Sequence, residues 1–134
     1  NTDHANEVVA RFQNRDPTAN ARNELSVLLR DLWRAIQLEY PQSYRPRRPL
    51  PVLQRVDVLL DACFCAKEAS LEDLAAQLWS LAAKLFKRYK ERFSKEFRVV
   101  YAKKIVAHLK RSKIALFDED KLLPKELEQM FQAS

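Results

Sequence analysis

Few residues in this chain are equipped for covalent or metal chemistry, and their spacing works against it. His4 and His108 are the only histidines. Their chain neighbours suggest no pairing of nucleophile and orienting carboxylate, and His108, beside Leu109 among lysines, reads as a structural or solvated side chain. Cys63 and Cys65 are the only cysteines. On a helix an i, i+2 pair points to different faces, so a bridge between them is geometrically poor and reduced, buried thiols are expected. Two histidines and two such cysteines make no zinc pattern. Asp118 and Asp120 imitate the start of a calcium loop, but Leu123 stands where that loop needs glycine and Gln129 where it needs a bidentate glutamate. Asp57 and Asp61 lie one helical turn apart and read as solvated. The chain contains no glycine at all, which excludes Gly-rich phosphate loops and dinucleotide fingerprints. No catalytic residue, metal or cofactor is expected, and the chain reads as a non-enzyme.

Charge is the stronger signal. Residues 84–113 hold 12 basic and 2 acidic side chains, a local +10 in a chain whose net charge is +6, so the remainder sums to −4. Lysine and arginine heads on a solvated helix face, with their stems over apolar neighbours, would be the bland explanation. A local +10 exceeds what solubility needs, and its self-repulsion destabilises the fold unless an anionic partner offsets it. The partner-binding face expected here comprises Lys84, Lys87, Arg88, Arg92, Lys95, Arg98, Lys103 and Lys104. Its leading partner is another protein, supplying an acidic or amphipathic segment that docks in a helical groove with a basic rim. The runner-up is DNA or RNA held sequence-nonspecifically through phosphates, since no helix-turn-helix glycine, zinc finger or RNP-type aromatic motif supports base reading. A membrane-surface or calmodulin-type use of Trp79–Phe93 is weaker, because the apolar side of that segment is needed for a core.

The elements that must carry this face read as helices. Absent glycine argues against a sheet protein, and 47% hydrophobic residues with 13 aromatics suffice for a core. Residues 2–14 place Ala5, Val8, Val9 and Phe12 at i, i+3, i+4 and i+7, the spacing of one buried helical face. Asp16-Pro17 reads as N-cap and first residue of a second helix that Pro41 stops, with Leu25, Leu28, Leu29, Leu32, Trp33, Ile36 and Tyr40 as its stripe. Residues 41–51, PQSYRPRRPLP, read as an extended connector, partly polyproline II. Pro46-Arg47-Arg48-Pro49 satisfies a bare P-x-x-P, so Arg45, Arg47 and Arg48 mark a candidate docking loop; a plain connector is the simpler reading, and the loop extends the basic surface if it folds toward the later helix. A third helix is expected from Pro51 to Ala66.

Ser70 with Asp73 forms an S-x-x-D capping box opening a fourth helix at Leu71. Its apolar face is Leu71, Leu74, Leu78, Leu81, Leu85, Tyr89 and Phe93. Unbroken to Arg111 it would span roughly 60 Å, so a break near Ser94 is favoured over one curved helix. Trp79, Phe86, Phe93, Val100 and Ala107 repeat every seven residues, but Glu96 and Lys103 spoil the companion positions of a coiled-coil seam, and a bundle is preferred. Pro124 opens a short last helix carrying Leu127, Met130 and Phe131.

The expected architecture is therefore all-α: a single helical domain over 1–134, a bundle of five or six helices with a Pro-rich connector between the second and third. The chain opens at Asn1 without an initiator Met, which reads as a domain cut from a larger protein or as N-terminal processing. No window of 18 continuous apolar residues offers a transmembrane span. Together these features point to a non-catalytic interaction or scaffold module in the nucleus or cytoplasm.

Overall fold

A computed structural model describes residues 2–17, 21–89 and 107. The described chain is all-helical: α1 (Thr2–Gln13), α2 (Arg22–Glu39), α3 (Pro49–Glu68) and α4 (Glu72–Tyr89), with no strand among the described residues. The further helices expected after residue 89, the break near Ser94 and the Pro124 helix lie outside the described residues.

α1 buries Ala5, Val8, Val9 and Phe12, the four residues its spacing marked. Arg15 closes its end. The guanidinium donates to the Phe12 carbonyl at 2.8 Å and lies 4.2 Å over the Phe12 ring, giving the helix the C-terminal cation that its dipole favours.

α2 begins later than Asp16-Pro17 suggests. That dipeptide sits in the turn after α1, and α2 starts at Arg22 behind an extended Ala21 that provides no side-chain cap. A tertiary contact fixes where this end of the helix lies. Arg22 donates through Nε to the Ala69 carbonyl and through Nη2 to the Ser70 carbonyl, both at 3.0 Å, tying the start of α2 to the α3–α4 turn. α2 ends at Glu39 before Pro41, as expected. It buries Leu29, Leu32, Ala35 and Ile36, while Leu25, Leu28 and Trp33 pack partly buried against the core.

α3 is longer than expected, taking in both Pro49 and Pro51 at one end and running to Glu68 at the other. Proline fits a first helical turn because the N–H it lacks would have no intrahelical acceptor there. The turn to α4 corrects the capping box. Ser70 has φ 60°, a left-handed conformation that an N-cap residue does not adopt. It is instead the residue after the C-cap Ala69. Leu71 N–H donates to the Ala66 carbonyl at 2.8 Å and Ser70 N–H to the Lys67 carbonyl at 3.1 Å, the paired bonds of a Schellman motif. α4 then starts at Glu72, one residue past the expected Leu71.

α4 is the central helix. Leu74, Leu78, Leu81, Leu85 and Tyr89 are buried as the stripe implied, and Ala75, Trp79, Ala82 and Phe86 join them, so most of its circumference is covered. The heptad residues Trp79 and Phe86 are thus taken up by one intramolecular core shared by all four helices. Helix direction follows from the end contacts. Arg22 meets the residues just before α4, and Tyr40 meets Arg88 and Tyr89, so α2 and α4 run in the same direction. α1 and α3 run against them. Arg55 of α3 joins the other side, donating to both Glu39 carboxylate oxygens at 2.7 and 3.0 Å and to the Asn6 side-chain oxygen of α1.

Candidate functional site: a groove between α2 and α4

α2 and α4 touch at their flanks and leave a groove of about 610 Å³ between them. Its shape follows from side-chain size. α2 contributes Trp33, Gln37 and Tyr40, spaced i, i+4, i+7 on one face, while α4 answers with the small Ala76 and Ser80, again one turn apart. Leu81 lies in the floor, and Gln42 and Gln77 add neutral amides. Lys84 and Arg88 make the rim toward the end where Tyr40 sits. Among the described residues two cations line the groove and no carboxylate does.

That end of the bundle gathers further positive charge. Residues 40–48 turn back on themselves at Pro41–Tyr44, where the Tyr44 N–H donates to the Pro41 carbonyl at 2.9 Å, instead of running extended throughout. α4 holds them in place. Arg88 Nη1 donates to the Tyr40 carbonyl at 2.7 Å, and the Tyr89 hydroxyl donates to the Tyr44 carbonyl at 3.2 Å. The Tyr40 ring meets Tyr44 edge-on at 5.3 Å and Tyr89 at 6.1 Å. Arg45, Arg47 and Arg48, all exposed, therefore lie at the same end as Lys84, Lys87 and Arg88.

The expected site residues separate into groups. Lys84 and Lys87 are exposed, as a partner face requires. Arg88 is half-buried, committed to the Tyr40 carbonyl and 5.7 Å from the Tyr89 ring centre, so part of its role is structural. Arg45 folds back on the Gln42 and Tyr44 carbonyls. Arg92, Lys95, Arg98, Lys103 and Lys104 lie outside the described residues. The P-x-x-P is not presented as a free polyproline ligand, since Pro46 is buried and Pro49 opens α3. Gln37, Gln42, Gln77 and Ser80 had no signal in the sequence. Their pairing across the groove becomes readable only once α2 and α4 are known to be parallel neighbours.

Elsewhere the chemistry is muted. His4 is exposed on α1, and His108 lies outside the described residues. Cys63 and Cys65 are both free thiols. Cys63 is buried and donates to the Ala75 carbonyl at 3.3 Å. Cys65 lines a smaller hollow of about 320 Å³ with Arg15, Arg22 and Glu68. Burial pushes its thiol up against the opposing pull of Arg15, so the reactive thiolate is suppressed there. Among the described residues no cluster of His, Cys, Asp and Glu is placed to hold a metal ion, and no helix is long and apolar enough to cross a membrane.

No protein-family model, curated protein or solved structure matches this chain.

Proposed function

We propose that this chain is a non-catalytic interaction module of the nucleus or cytoplasm that docks a segment of another protein in the α2–α4 groove. One observation carries the reading: the groove joins an apolar wall and floor, Trp33 and Leu81, to a rim of Lys84 and Arg88, with no carboxylate among the described residues of the lining. Apolar anchors supply affinity in such a site, and the cations steer and orient an acidic segment. The sequence after Tyr89 carries further basic residues between Arg92 and Lys104.

The test is partner capture with the full chain, repeated with a Lys84→Glu/Lys87→Glu variant and with Ser80→Trp, which fills the groove. A segment bound in the groove is lost from both variants while helicity by circular dichroism is unchanged. Capture that survives both contradicts the reading.

A second reading, sequence-nonspecific nucleic-acid binding, is favoured by a different observation: the fold gathers Arg45, Arg47 and Arg48 at the end that carries Lys84 and Lys87. Binding to arbitrary duplex DNA or RNA that weakens by orders of magnitude between low and moderate salt, and survives Ser80→Trp, moves the function there. No binding at low salt removes it.

A further inference from the structure

We propose that the segment held in the α2–α4 groove is an amphipathic helix of about three turns, running antiparallel to α2 and α4, with an acidic first turn at Lys84 and Arg88. This rests on the groove reading above and adds the conformation, direction and charge order of the occupant.

Conformation follows from the walls. Both are α-helices, whose backbone N–H and C=O groups are bonded within the helix, and the described residues include no strand edge to which an extended peptide could add. An extended segment would lose water from its own backbone with only scattered side chains in the lining, and no ladder of backbone groups, to replace it. A helix brings its backbone bonds with it and needs only a side-chain face. The lining runs from Ala76 to Arg88, roughly 18 Å at 1.5 Å per residue, which a helix of about twelve residues spans. Such a helix offers apolar side chains at i, i+4 and i+7 to Trp33, Ala76, Ser80 and Leu81, and its polar flanks to Gln37 and Gln77.

Direction follows from charge. Lys84 and Arg88 stand at the Tyr40 end of the groove, and its other end, at Trp33, Ala76 and Gln77, is uncharged. The occupant's carboxylates therefore belong at the Tyr40 end. Carboxylates stabilise a helix in its first turn and oppose its dipole in the last. The occupant's N-terminus thus lies at that end, where α2 finishes. Since α2 and α4 both run toward Tyr40, the occupant runs against them.

The probe is a synthetic sixteen-residue peptide, acetylated and amidated, with three glutamates in its first turn and leucines at i, i+4 and i+7, carrying a nitroxide at either end. It is titrated into the full-length, isotope-labelled chain. The proposal expects the N-terminal nitroxide to broaden Gln42, Lys84 and Arg88, and the C-terminal one to broaden Trp33, Ala76 and Gln77. Transferred amide–amide contacts should report a bound helix, and Lys84→Glu should weaken binding about tenfold or more, as removal and reversal of a paired charge implies. The reverse broadening pattern overturns the direction while leaving the groove reading standing. A bound peptide without helical contacts overturns the conformation. No binding, or broadening away from the groove, overturns the groove reading and this inference with it.

Discussion

Arg88 Nη1 donates to the Tyr40 carbonyl at 2.7 Å, so a residue of the basic face also closes the end of another helix. α2 has no basic residue in its last turn, and α4 provides the missing cation from 48 positions away. Two consequences follow. The connector is held against α4, and Arg88 cannot be treated as an interchangeable surface charge.

Arg88→Ala is expected to cost about 1.5–3 kcal/mol, the range for a hydrogen bond to a charged group. Lys87→Ala, next to it but exposed, should stay within about 0.5 kcal/mol. Urea unfolding followed by circular dichroism checks both. Equal stability for the two variants would show that the Tyr40 contact carries no weight.

The Arg55–Glu39 pair should be the most sensitive polar contact in the described bundle. Its side chains are only 12% and 8% exposed, and the hydrogen bond to Glu39 holds the guanidinium proton more firmly than usual. Removing one partner leaves the other, part-buried charge unpaired, so Arg55→Ala is expected to cost about 1.5–3 kcal/mol, the range for hydrogen bonds to charged groups. The double variant Arg55→Met/Glu39→Met should recover much of that loss. A double-mutant cycle of equilibrium unfolding measures the coupling.

These contacts mark what a linear reading could and could not reach. The buried faces of α1 and α4 were legible because periodicity alone places Val8, Phe12, Leu78 and Leu85 on one side of a helix. The ends of the helices were not. Asp16-Pro17 has the local chemistry of a helix start, but α2 begins at Arg22, whose guanidinium reaches the Ala69 and Ser70 carbonyls, neighbours only in the fold. Ser70 and Asp73 have the spacing of a capping box, yet the same serine is needed in a left-handed conformation to turn the chain. The basic half of the site was legible as composition. The groove was not, because Trp33 and Ser80 belong to helices whose pairing no local pattern encodes.

Ser70 also yields a stability prediction. A β-carbon in the left-handed region costs roughly 1 kcal/mol, which glycine avoids. In a chain without glycine, Ser70→Gly should raise stability by about that amount, measured as an upward shift in the unfolding midpoint. A β-branched residue such as Val at the same position should lower it. A glycine variant less stable than the parent would contradict the Schellman geometry.

Stability should fall at alkaline pH. Burial, with a smaller push from Glu39, raises the Tyr40 phenol, and burial raises the Cys65 thiol. In the unfolded chain these groups release their protons near about pH 10 and about pH 8.5 respectively. Above those values the unfolded state binds fewer protons than the folded one, so the stabilisation present below them is lost as pH rises. Denaturant unfolding from pH 7 to 11 should show a decline beginning near pH 8.5–9 and steepening above about pH 10. Cys65→Ala should blunt its first part and Tyr40→Phe the second. A stability that stays level to pH 11 would contradict the burial of both groups.

The groove itself is tested most directly through the chain's two tryptophans, because Trp33 lines it and Trp79 is buried in the core. Their indole N–H signals give two separate reporters in one spectrum. On titration with the acid-first helical peptide, the Trp33 indole signal should shift or broaden while that of Trp79 stays in place, and Lys84→Glu should suppress the change. A Trp33 signal that does not move at saturating peptide, or a response confined to Trp79, would contradict docking between α2 and α4.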